Sequence, residues 1–145
     1  MSRLIADLDP TMQPRARKAF EYMTKSELLH DLGVETIQIS ETKRPLATQM
    51  AYYARSRMSV ADVRRMYAAA GLYDPTEEEC KTANTWTLDS KHIQGKAVDF
   101  VPVKNGKPWW NAPSEVWEAM GVIGEECGLK WGGRWKNKDC PHFEI

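Results

Sequence analysis

Ala16, Ala19, Phe20 and Met23 recur at three- and four-residue steps, which predicts a helix with one apolar stripe, started at Asp9-Pro10 or Gln13-Pro14. Thr24-x-x-Glu27 reads as a capping box for a second, short helix that runs to Leu32 and stops at Gly33, with His30 on it as a surface or capping histidine. The period then changes. Val34 to Ser40 sets Val, Thr and Ile between polar residues and predicts a strand. Pro45 opens another helix, on which Gln49, Tyr53 and Ser56 or Arg57 fall near one face. Ser59-x-x-Asp62 caps a further helix over Val60–Ala70, stopped by Gly71, and Leu72–Lys81 turns to the Asp, Pro, Thr and Glu of a loop.

In the second half, Thr82 to Leu88 alternates and predicts a strand, and Ala97-Val98-Asp99-Phe100-Val101 has the apolar character of a buried central strand. Asn105-Gly106 predicts a tight hairpin turn. Of Trp109 and Trp110, at least one is expected to pack on the sheet, leaving the other for a groove. Ser114 is expected to cap a helix whose Val116, Trp117, Met120, Ile123 and Cys127 share one face, ended by Gly128. Leu129–Trp131 and His142–Ile145 predict the last strands, with Gly132-Gly133 as a turn between them. The elements together make an α+β chain.

A length of 145 residues gives one domain with a real core, so residues 1–145 are expected to be a single domain without a separate binding module. Twenty basic and twenty acidic residues balance, which leaves no global field to attract nucleic acid. Lys130, Arg134, Lys136 and Lys138 read as a solvated basic loop. The N-terminus lacks the apolar run of a signal peptide and no segment could span a membrane, so the chain is expected in the cytosol. Three cysteines, Cys80, Cys127 and Cys140, are an odd number without zinc-knuckle spacing, as expected of reduced thiols.

The chemistry concentrates in Ser90-Lys-His-Ile-Gln-Gly-Lys-Ala-Val-Asp99 and Asp139-Cys-Pro-His142, which hold two of the three histidines. His92, Asp99 and His142 can supply three ligands to Zn²⁺, with a fourth position for water, the arrangement of catalytic rather than structural zinc. An aspartate inside an apolar strand is costly unless paired or metal-bound, which makes Asp99 the strongest of the three. Asp139 is left over and free to act as a base on water. Gly95 lets the backbone turn between two ligands, and Ser90 is expected to orient a ligand by hydrogen bond.

Ser90, His92, Gly95, Ala97 and Asp99, then Trp131-Gly132-Gly133-Arg134-Trp135 and Asp139-x-x-His142-Phe143, resemble the peptidoglycan-cutting D-Ala-D-Ala/L-Ala-D-Glu zinc metallopeptidases. Arg44, Gln49 and Tyr53-Ala54-x-x-Arg57 are similar to a further stretch of that family, in the expected order, so the resemblance runs from about residue 34 to the end. It implies a small antiparallel sheet carrying the zinc site and flanked by helices, as in the hedgehog/DD-peptidase fold. It also implies hydrolysis of the L-alanyl-D-glutamate bond of the bacterial stem peptide by an endolysin. Asp139 would be the base, and Arg44, helped by Gln49, would neutralise charge on the intermediate or hold a substrate carboxylate. The bland alternative for Arg44 is a surface ion pair. A D-Ala-D-Ala carboxypeptidase and a hedgehog-like binding module without turnover are the other readings. The resemblance further implies a pore-forming partner, a holin, for release, and the protein is expected to act as a monomer. Val60–Lys81 is either a lid or rim, or a tolerated insertion.

Overall fold

The computed structural model describes residues 1–145. Strands β1 (Thr36–Glu41), β2 (Ala97–Lys104), β3 (Lys107–Pro108), β4 (Lys130–Trp131) and β5 (His142–Glu144) form one antiparallel sheet in the order β1-β2-β5-β4, with β3 folded back on β2. Asn105 and Gly106 at that fold-back have φ of 55° and 71°, the two left-handed positions that the Asn-Gly pair predicts. Helices α1 (Met12–Lys25), α2 (Glu27–Asp31) and α6 (Ser114–Glu126) share the main core with the sheet. The pleat sends Val98 and Phe100 to one face and Asp99 to the other. On the core face, Phe100 stacks with Phe20 at 6.2 Å and meets Phe143 at 5.6 Å.

Helix α6 sits very close to the sheet because it has no side chains where they meet. A β-carbon on Gly121 would run into the Trp131 ring, and one on Gly124 into Phe143. Helices α3 (Leu46–Ala54), α4 (Val60–Ala69) and α5 (Glu77–Lys81) build a second, smaller core from Ala51, Ala54, Val63, Tyr67 and Cys80. This lobe forms one wall of a long cleft, and the sheet and the Trp135–Asp139 loop form the other.

Several local expectations are corrected. Thr82–Leu88 is not a strand: it pairs with no strand of the sheet, and its carbonyls are taken by side chains instead, Thr82 by Arg55, Thr85 by Arg57 and Thr87 by Gln49. Helix α2 is capped by Ser26, whose hydroxyl accepts from Leu29 N–H at 3.2 Å, while Thr24 turns back to donate to the Phe20 carbonyl. Ser114 is the first residue of α6 and makes no cap bond. The acidic loop contains α5, started by a capping box between Thr76 and Glu79. Ser59 does cap α4. Cys80 and Cys127 are buried, Cys140 packs at the core edge, and all three are free thiols.

Candidate active site

Strand register assembles the site. Glu41 on β1 pairs with Asp99 on β2, and Asp99 pairs with His142 on β5, so three chemically active residues form a row across the sheet. His92 comes to the row from the turn before β2, closed by Gly95 at φ +70°. One donor atom from each of His92, Asp99 and His142 lies within 4.8 Å of the other two. Asp99 Oδ1 stands between the rings, 3.1 Å from His92 Nε2 and 3.3 Å from His142 Nδ1.

The outward nitrogen of each ring is also held. His92 Nδ1 bonds the Thr42 carbonyl at 2.7 Å, and His142 Nε2 bonds Glu144 Oε1 at 2.8 Å. These acceptors take one N–H of each ring, so in the neutral rings the other nitrogen, on the Asp99 side, has its lone pair free for an ion. Two nitrogens and one carboxylate oxygen aimed at one point, each ring braced from behind, fit a small divalent metal ion with a coordination position left open. Without the ion the same groups hold one another. Burial alone would raise the Asp99 pKa, but hydrogen bonds from His142 and His92 hold it well below the usual carboxylate range. Burial alone would lower His142, but its bonds to Asp99 and Glu144 carry it to about 9.

Asp139 Oδ2 lies 3.9 Å from His142 Nδ1, with half of its side chain open to the cleft. Its loop is fixed at both ends: Asp139 N–H donates to the Gly132 carbonyl at 3.0 Å, and His142 N–H donates to the Asp139 carbonyl at 3.1 Å. Desolvation by the cleft walls and the negative charge of Asp99 raise its pKa, toward the range in which a carboxylate takes up a proton readily.

Arg44 is not on the open surface. Its side chain is 13% exposed and forked onto Glu41, with Nε donating to Oε2 at 3.0 Å and Nη2 to Oε1. Its Nη1 donates to Gln49 Oε1 at 2.5 Å. The guanidinium also lies over Tyr52, 5.1 Å from the ring centre, and it lines the cleft. Gln49 is fully buried and its amide nitrogen is used on the Thr87 carbonyl, so it supports Arg44 from behind and does not reach the cleft. Arg57 stacks on Tyr53 at 4.0 Å and pins the rim through the Thr85 carbonyl.

Ser90 accepts from the His92 backbone N–H at 3.3 Å; it shapes the turn, and the Thr42 carbonyl orients the ring. Trp109 packs on the core, whereas Trp110 is 56% exposed and faces the cleft with Trp86 and Trp135. Arg134 leaves the basic run to pair with Glu118 and Glu125 on α6. His30 is exposed, away from the metal cluster. Glu41, the Thr42 carbonyl and Glu144 were not foreseen. Glu144 had a signal, since it lies two residues from His142 on a strand and therefore on the same face. Glu41 had none, because a register irregularity between Ile39 and Glu41 breaks the alternation.

Comparisons with known proteins agree with this arrangement. Residues 83–145 match the family model described as D-alanyl-D-alanine carboxypeptidase. The L-alanyl-D-glutamate peptidase of Escherichia phage T5 is 41% identical over 61 residues, 39% of this chain and 44% of that protein. The chain therefore matches less than half the length of that curated relative. The Serratia marcescens L-Ala D-Glu endopeptidase ChiX superposes with a TM-score of 0.57 at 25% identity, covering 97% of this chain and 82% of that one. The vancomycin-resistance D,D-pentapeptidase VanY, solved with Zn(II), superposes with a TM-score of 0.50 over 95% of this chain and 72% of that one. At 14% identity it speaks to the fold alone. His92, Asp99, Asp139 and His142 lie inside the segment that matches the family model, and the chain shares the hedgehog/DD-peptidase-like fold of these peptidases.

Proposed function

We propose that the protein is a zinc-dependent peptidoglycan peptidase that hydrolyses the L-alanyl-D-glutamate bond of the stem peptide. The observation that carries this reading is the His92–Asp99–His142 cluster with Asp139 beside it, in a chain similar to an L-alanyl-D-glutamate peptidase. Zinc held by His92, Asp99 and His142 would supply Lewis acidity at the scissile carbonyl and a lowered pKa for the attacking water. Asp139 takes the proton of that water and returns it to the leaving amine. Arg44 has five N–H donors, three of them spent on Glu41 and Gln49, which leaves donors for a stem-peptide carboxylate or the developing oxyanion. Glu41 and Gln49 keep that guanidinium in place, and Trp86, Trp110 and Trp135 give the cleft apolar walls.

Within this reading the chain acts as a monomeric enzyme. It is made in the cytosol and depends on a holin-like partner to reach the wall. No helix is long and apolar enough to cross a membrane. The family model's description favours D-Ala-D-Ala carboxypeptidase as the second reading. The test is Asp139→Asn: zinc content should stay at the wild-type level while turnover on peptidoglycan falls by about 10²–10⁴. Unchanged turnover would remove Asp139 from the mechanism.

A further inference from the structure

The sheet does not hold the residue that aims His92. Pairing between β1 and β2 ends at Glu41 and Asp99, yet it is Thr42, one residue further on, whose carbonyl takes the His92 Nδ1 bond. Thr42 is fully buried and its hydroxyl has no hydrogen-bond partner, so its own side chain does not anchor it. The anchor is the N-terminal segment. Thr42 N–H donates to the Ser2 carbonyl at 2.7 Å, and Ser2 N–H donates to the Lys43 carbonyl at 2.9 Å.

The same segment grips the other side of His92. Asp9 N–H donates to the Gly95 carbonyl at 2.9 Å, and Gly95 N–H closes the turn onto the His92 carbonyl at 3.2 Å. The approach is so close that a β-carbon on Gly95 would stand 2.9 Å from Asp9 N. Between the two grips, Ser2 Oγ donates to Asp7 at 2.5 Å and accepts from Leu4 N–H at 3.0 Å, and Ile5–Asp7 forms a 3₁₀ turn that keeps the segment short. Leu8, 3% exposed, roots it in the main core.

We propose that residues 2–9 are a positioning strap for the metal site. By fixing the Thr42 carbonyl on one side and the Gly95 turn on the other, the strap sets the orientation of the His92 ring, and it brings Met1 and Arg3 to the cleft wall. It lies wholly outside the segment matched by the family model, and it rests on the reading of His92 as a metal ligand.

The test measures metal, not turnover. Deleting residues 1–4 removes the Ser2 bonds and leaves Leu8 and Asp9; Ser2→Pro removes the N–H donated to Lys43 and the hydroxyl's bonds to Asp7 and Leu4, and keeps the carbonyl that Thr42 uses. Val63→Ala, in the small core of the α3–α5 lobe, serves as a variant that loses stability away from the strap. Zinc affinity is read by competition with a chromophoric chelator, and melting temperature by circular dichroism. The deletion should weaken zinc binding about tenfold, the scale seen when a ligand's supporting contact is lost. Ser2→Pro should shift affinity the same way by less, and Val63→Ala should lower the melting temperature with affinity unchanged. Wild-type affinity in the deletion would overturn the proposal, as would an equal affinity loss in Val63→Ala at matched melting temperature. If the deletion does not fold, Ser2→Pro decides on the same two readings. A wild-type chain that binds zinc yet cuts no peptidoglycan would sink the functional reading and leave the strap standing.

Discussion

Gly132→Ala is the most informative single substitution in the fold. A β-carbon at Gly132 would press on the Asp139 carbonyl oxygen closer than real β-carbons approach, and it would lie 3.2 Å from both Asp139 Cβ and His142 Cβ. None of these atoms is the tip of a flexible side chain. The Asp139 carbonyl is bonded to His142 N–H, and Asp139 N–H is bonded back to Gly132, so relief must come from moving the loop that carries Asp139 and His142. Overpacking of this kind costs about 1–3 kcal/mol. For a chain of this size each kcal/mol lowers the melting temperature by roughly 2–4 °C, so the fall should be about 2–12 °C. Catalysis should suffer more than stability, because a shift of about 1 Å in a reacting group is enough to lose about 10² in turnover. Gly106→Ala is the control: no atom lies within 4 Å of its β-carbon, but its φ of +71° makes the substitution strained. It should lose about 1–2 kcal/mol of stability and no turnover. Differential scanning calorimetry together with peptidoglycan hydrolysis reads both. Gly132→Ala with wild-type melting and turnover would refute the claim that this glycine is present so that Asp139 and His142 can approach.

Four further outcomes follow from the supports of the site and from the His142 titration. Glu144→Gln weakens the acceptor behind His142, and zinc affinity should drop by about 10–100-fold with the fold intact, measured by chelator competition. Glu41→Ala leaves the Arg44 guanidinium, 13% exposed, without its carboxylate, and thermal or denaturant unfolding should show a loss of about 3–5 kcal/mol. His142 stands at about 9 without metal and must shed that proton to bind an ion, so affinity measured across pH should rise with pH and level off above about 9. For the metal-free fold the sign is opposite. Its raised His142 pKa contributes stability that is complete below the ordinary value of 6.5 and is lost as pH rises through about 9.

The grouping of His92, Asp99 and His142 was legible because it breaks a rule: a carboxylate in the apolar strand Ala97–Val101 calls for a partner, and the chain has three histidines from which to supply one. Helix stops at Gly33, Gly71 and Gly128 were legible for a related reason, since each has the positive φ that glycine supplies most easily. Thr82–Leu88 shows where local pattern runs out. Its alternation is a strand signal, but the segment joins no strand of the sheet, and its carbonyls accept from Arg55, Arg57 and Gln49. The strap was illegible for a different cause. Its bonds to Thr42, Lys43 and Gly95 are made by backbone groups, which leave no trace in side-chain type. Glu41 fell beyond an irregularity in the register, so parity along β1 gave no hint that it faces the site.

Digestion of purified peptidoglycan with and without a zinc chelator, with the new termini identified by mass spectrometry, tests the central claim most directly. The account predicts chelator-sensitive release of fragments beginning with D-glutamate. Loss of terminal D-alanine alone would move the activity to the carboxypeptidase reading, and cleavage that is indifferent to the chelator would contradict a metal site at His92, Asp99 and His142.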